Sequence, residues 1–97
     1  MERSEITSIG DVLRRAIQET NMQGRLDELR AADLWPRIVG PDIASRTMKP
    51  LVRSGNMTIR VVDSSLRHEL SMHRTLLLRE INRLMKKEVI LSIRFIG

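Results

Sequence analysis

No cysteine occurs in the chain, so neither a disulfide nor a thiolate metal site is available to it. The absence fits a reducing, cytoplasmic setting. Tyrosine is missing too, and the only aromatic residues are Trp35 and Phe95. Both fall on the apolar side of their segments, which leaves no row of rings on which bases could stack. The five glycines never occur at the spacing of a phosphate-cradling loop. No window approaches eighteen apolar residues, so no membrane span is expected. The stretch Met1-Glu2-Arg3-Ser4-Glu5 lacks the apolar core of a secretory signal. No internal repeat, low-complexity tract or linker is visible, and the length suits a single domain over residues 1–97.

What is abundant is positive charge, unevenly placed. The net charge is +5. Residues 1–43 carry six basic and eight acidic side chains, and residues 44–97 carry eleven and four. A basic C-terminal half beside a mildly acidic N-terminal half predicts one surface that faces a polyanion.

The longest periodic stretch runs from Asp63 to Lys87. Leu66, Leu70, His73, Leu77, Ile81 and Leu84 recur at steps of three and four, and neither Gly nor Pro intervenes. The spacing predicts one long amphipathic helix with Asp63, Ser64 and Ser65 offering oxygens to cap its first amides, Lys86 and Lys87 in its last turn, and His73 at the edge of the core. Upstream, Ser8 and Asp11 resemble a capping box for a helix to about Thr20, with Ile9, Val12, Leu13, Ala16 and Ile17 on its apolar face. A second helical piece follows, with Leu26 and Leu29 expected inward and Asp27 and Glu28 outward. Asp33 then reads as the cap of a short helix that holds Pro36 in its first turn, buries Trp35, Ile38 and Val39, and ends at Gly40. Residues 42–46 add another helical turn.

From Met48 the period becomes two. Ser54-Gly55-Asn56 is turn chemistry between two strands, and Pro50 implies that the first of them lies at an edge or starts late. Met57, Ile59 and Val61 alternate with polar residues, and a third strand is expected over 89–95 with Leu91 and Ile93 inward. The order helix, helix, strand, strand, helix, strand implies an α+β domain of two layers, a three-stranded sheet covered on one face by helices. Its other face would hold Arg53, Thr58, Arg60, Ser92 and Arg94.

Catalytic patterns are not found. His68 and His73 are five positions apart, roughly 140° around a helix, and cannot chelate one metal. Asp27, Glu28 and Asp33 form an acidic cluster that nothing orders as an acid and base. No serine lies in a nucleophile elbow. Trp35 and Gly40 read as structural, and the six methionines as core and edge filler. The sequence therefore implies no enzyme, cofactor or metal.

Trp35 followed by Ile38-Val39-Gly40, then Ile43-Ala44 and Thr47, then a hairpin, then Leu66-Arg67-His68-Glu69-Leu70 and Ile81-Asn82, resembles the DciA family over residues 8 to 96. Two features depart from its pattern: Pro36 inside the tryptophan motif, and an end at Gly97 without the long tail of many members. The resemblance implies a KH-like fold, a bacterial cytoplasmic protein, and nucleic-acid binding linked to the replicative helicase, with no catalytic residue. The Gly-x-x-Gly clamp of KH domains is not present. Taken together, the residues and the resemblance point to a non-enzymatic nucleic-acid-binding module of DNA replication, with DNA favoured over RNA. Its phosphate contacts would come from Arg53, Arg60, Arg67, Arg74, Arg79, Arg83, Lys86, Lys87 and Arg94, a set too dispersed to face one ligand. The alternative is a protein–protein adaptor that docks on the helicase or another acidic partner.

Overall fold

A computed structural model describes residues 9–12 and 22–97. Residues 9–12 are helical, and the remainder of the helix expected over 8–20 lies outside the described residues. The elements that follow are α1 (Met22–Asp33), α2 (Trp35–Val39), α3 (Pro41–Ser45), β1 (Leu51–Arg53), β2 (Asn56–Arg60), α4 (Ser64–Met72), α5 (Arg74–Met85) and β3 (Ser92–Ile96). The domain is α+β, with helices preceding a hairpin, helices again, and a last strand.

The hairpin turns on Ser54 and Gly55, both at positive φ (50° and 81°), as a two-residue type I′ connection demands. β2 is central. It pairs antiparallel with β1 and parallel with β3. Edge position suits β1, because the preceding Pro50 has no amide to offer a neighbour. On the inner face Met57, Ile59 and Val61 are fully buried and meet Trp35, Leu70, Ile81, Ile90 and Ile93 in one core. The Trp35 and Phe95 rings lie 6.0 Å apart at 44°. The indole N–H of Trp35 donates to Thr47 Oγ1 at 2.9 Å, so burying the ring strands no polar atom.

Several expectations need correction. The 63–87 segment is two helices. At His73 the backbone leaves the helical region (φ −104°, ψ 15°), and its N–H bonds to Leu70 O at 3.1 Å. The five residues of β2 span about 17 Å, whereas an unbroken helix over 63–85 would run about 33 Å. A break lets α4 rest on β3 while α5 reaches β3, α1 and α2. His73 itself is exposed, not at the core edge. The second half ends at Met85, with Lys86 as a left-handed cap (φ 61°). At the other end, of the three residues expected to offer capping oxygens, Asp63 does so: its Oδ1 accepts from the amides of Ser65 and Leu66 at 2.9 and 3.2 Å.

The inward face of α1 is Asp27, Glu28, Ala31 and Ala32, while Leu26 and Leu29 are exposed. Small alanines let the helix approach its neighbours closely, and both carboxylates find partners there: Asp27 Oδ2 lies 2.6 Å from Lys87 Nζ, and Glu28 Oε2 accepts the Gly55 N–H at 2.8 Å. Asp33 does not cap α2. It ends α1, and Leu34, itself helical (φ −75°, ψ −15°), precedes α2 with no side-chain cap. The Leu34 amide still bonds back to Arg30 and Ala31, so the chain never resets for a new cap. Pro36 does lie in the first turn, and Gly40 (φ 89°) does end the helix.

Finally, Leu91 is exposed and Ile90 is fully buried. The third strand begins only at Ser92, and the residues before it follow a side chain rather than a ladder. Asn82 Oδ1 accepts the amides of Val89 and Ile90 at 2.9 and 2.8 Å, and its Nδ2 donates to Ile90 O at 2.8 Å. That clamp turns Ile90 into the core and Leu91 out of it.

Candidate nucleic-acid interface

Strand alternation builds the helix-free face of the sheet. The register sets Arg53, Asn56 and Ser92 side by side, then Leu51, Thr58 and Arg94, then Arg60 and Ile96. The outward set contains three arginines and no carboxylate, and all three arginines are exposed. Ser92 Oγ donates to Asn56 Oδ1 at 2.7 Å, which ties the two strands across this face. Arg60 Nη1 donates to Gly97 O at 3.1 Å, which leaves further N–H groups of its guanidinium unassigned. Neither Arg53 nor Arg94 makes an ion pair among the described residues. Arg74, exposed at the start of α5, lines a depression shared with Ser92 and so adjoins the β3 side of this face.

The remaining basic residues lie elsewhere. Arg67 is half-buried and donates through Nη1 to Val61 O at 2.8 Å, bracing the chain just past β2. Arg83 grips Glu80 on its own helix through two contacts, Nε–Oε2 at 3.0 Å and Nη2–Oε1 at 2.6 Å. That pair holds the Glu80 carboxyl below its ordinary pKa and raises the guanidinium's. Lys87 belongs to Asp27, whose carboxyl its hydrogen bond holds below the ordinary value against the opposing effect of desolvation. Arg79 and Lys86 are exposed on α5 and at its end. The Asp63 carboxyl is also held low, first by the Leu66 amide and then by that of Ser65 and by Arg46 at 3.3 Å.

The structure thus groups Arg53, Arg60 and Arg94, places Arg74 near them, and sends Arg67, Arg83 and Lys87 to partners within the fold. Two further cations, Arg25 and Lys49, lie off this face, at a groove between β1 and α1, and were not among the residues singled out from sequence. Pro50 was their signal, since it marks the edge strand that they border. Among the described residues no group of His, Asp or Glu side chains is placed to hold a metal ion, and no helix is long and apolar enough to cross a membrane.

Fold and surface together define a small α+β domain with a basic, carboxylate-free sheet face. The sequence model of the family described as "Dna[CI] antecedent, DciA" matches residues 8–95, nearly the whole chain, and the protein belongs to that family. The family is associated with the replicative helicase in bacterial DNA replication and is not a known enzyme family. A search of curated proteins found no match.

Proposed function

We propose that this protein binds nucleic acid, DNA in preference to RNA, through the open face of its sheet while serving the replicative helicase. The observation that carries the reading is the outward set of Arg53, Arg60 and Arg94 with no carboxylate among them. Guanidinium forks suit phosphate oxygens, and a flat sheet offers them in two dimensions where a helix flank offers only a line. Arg74 extends the face past β3. No aromatic side chain joins it, so the grip is on the backbone and depends weakly on base sequence. The protein needs no catalytic group for this role, which is to bring DNA and helicase together.

The test is a fluorescence titration of labelled single- and double-stranded DNA at several salt concentrations. Log affinity is expected to fall linearly with log salt, at a slope near −0.7 to −0.9 per phosphate contacted. Replacing Arg53, Arg60 and Arg94 together by alanine should abolish most of the affinity, and replacing Arg79 and Arg83 should not. Equal loss in both variants, or no binding by the parent protein at low salt, refutes the assignment. Capture of the replicative helicase by a protein that binds no DNA would leave the adaptor role alone.

A further inference from the structure

A groove runs along the other side of β1, between that strand and α1. One depression of about 300 Å³ lies between Arg25 and Leu29 on the helix and Lys49, Leu51 and Arg53 on the strand side. A second, of about 290 Å³, continues from it toward Trp35, Pro36 and Met48. The two share Ala32, Lys49 and Pro50, so they form one elongated channel rather than a closed cavity. Its lips are apolar and open to water: Leu29 is 59% exposed and Leu51 72%.

The free charges around it are basic: Arg25 and Arg53 rim the channel and neither makes an ion pair among the described residues, while Lys49 beside them is already paired. Its two carboxylates are already engaged, Glu28 by the Gly55 amide and Asp33 by Lys49 at 3.3 Å. The strand adds one pair of directed groups. Because the two-residue turn makes Arg53 and Asn56 the closing hydrogen-bonded pair, Val52 belongs to the next, non-bonded pair, and its N–H and C=O point away from β2 at the sheet edge.

We infer that this channel is a docking site for an extended acidic peptide with aliphatic anchors, supplied by a partner protein. Aliphatic side chains would cover the exposed Leu29, Leu51 and Met48, carboxylates would meet Arg25 and Arg53, and the peptide backbone would bond Val52. Elongated shape favours a chain over a compact small molecule. Nucleic acid fits it less well. The only ring at the channel, Trp35, is 1% exposed, so bases find no stacking surface. The inference does not rest on the nucleic-acid reading, and of the sheet-face arginines only Arg53 borders both surfaces.

The experiment uses the full chain and a fluorescein-labelled peptide of repeating Asp-Leu-Glu-Leu, with a second peptide in which every Leu is Ser. The leucine peptide should bind, perturb the Val52 amide resonance, and outbind the serine peptide by about tenfold or more. Leu29→Glu and Arg25→Glu alter exposed side chains that the fold does not need, and each should weaken peptide binding by about tenfold while leaving DNA affinity within about twofold. Arg94→Glu should do the reverse. Three results overturn the inference: no peptide binding, equal binding of the serine peptide, or loss of DNA binding on Leu29→Glu, which would make the channel a nucleic-acid site. Loss of DNA binding in no variant would count against the sheet face and leave the channel standing.

Discussion

Glu28 and Gly55 meet at 2.8 Å across 27 positions of sequence, the Glu28 carboxylate accepting the backbone N–H at the tip of the hairpin in a buried setting. The carbonyl of the same glycine accepts the amides of Leu91 and Ser92 at 2.7 and 3.3 Å. One two-residue turn therefore fastens α1 through its donor and the approach to β3 through its acceptor. A Cβ on Gly55 would lie 2.8 Å from Leu91 Cγ, so both its positive φ and its neighbour favour glycine there.

Glu28→Ala should cost about 1–3 kcal/mol, because it leaves a buried amide without an acceptor. Glu28→Gln keeps an oxygen at the same reach and should cost clearly less. Urea unfolding of the two variants decides the matter. Equal losses would mean that the negative charge, not the hydrogen bond to Gly55, is what α1 contributes.

Much of this fold is legible in the sequence. Period two at Met57, Ile59 and Val61 gives the second strand, Ser54-Gly55-Asn56 the turn, Pro50 an edge or a late start, and Asp63 to Ser65 the cap. Each is a local signal. The failures share a different cause. Leu26 and Leu29 look like an inward face, and Asp27 and Glu28 like an outward one, until Lys87 and the Gly55 amide arrive from distant parts of the chain to satisfy the carboxylates. Leu91 fits the alternation of a strand that in fact starts one residue later, because Asn82 has already fixed the backbone of residues 89 and 90. The break at His73 follows from the length of the sheet beneath it, which helical periodicity does not encode. Of the candidate interface, the sheet-face arginines were readable by parity. The engagement of Arg67, Arg83 and Lys87 within the fold was not, since spacing alone does not reveal an intramolecular partner.

Asn82 stands in for a strand neighbour by serving three backbone groups at once. Asn82→Ala should destabilise the protein by about 1–3 kcal/mol or slightly more, since two donors and one acceptor lose their partner in a half-buried place. Exchange protection at the Ile90 amide should fall with it. A variant as stable as the parent, with Ile90 still protected, would show that β3 and Gly55 position this segment without the clamp.

The Asp27–Lys87 pair predicts an acid-sensitive attachment of α1. With the folded-state pKa of Asp27 depressed below 3.8, its contribution is fully present above that value and is lost as pH falls through the lower folded pKa. Asp63 is depressed from the same value and acts in the same window, and Glu80, depressed from 4.5, acts in one that opens somewhat higher. Stability measured from pH 5 downward, a range set at about one unit above the ordinary carboxylate value, should therefore decline less steeply in Asp27→Asn than in the parent. Identical slopes would show that the pair gives no net stabilisation.

Arg67 and Arg94 should separate folding from binding. Arg67 donates to Val61 O, and its guanidinium lies over Gly97, where an added Cβ would come within 2.7 Å of Nη1. Arg67→Ala should cost about 1.5–3 kcal/mol, the range for a hydrogen bond from a charged donor, and little DNA affinity where the variant is fully folded. Arg94 is exposed on the open face and makes no ion pair among the described residues. Arg94→Ala should change stability by no more than about 0.5 kcal/mol, yet reduce the salt slope of DNA binding by about 0.7–0.9. The two variants are compared by urea unfolding and by titration at several salt concentrations. If Arg67→Ala lowers the salt slope as much as Arg94→Ala does, the phosphates also cross the α4 flank, and Arg67 is a contact residue as well as a brace.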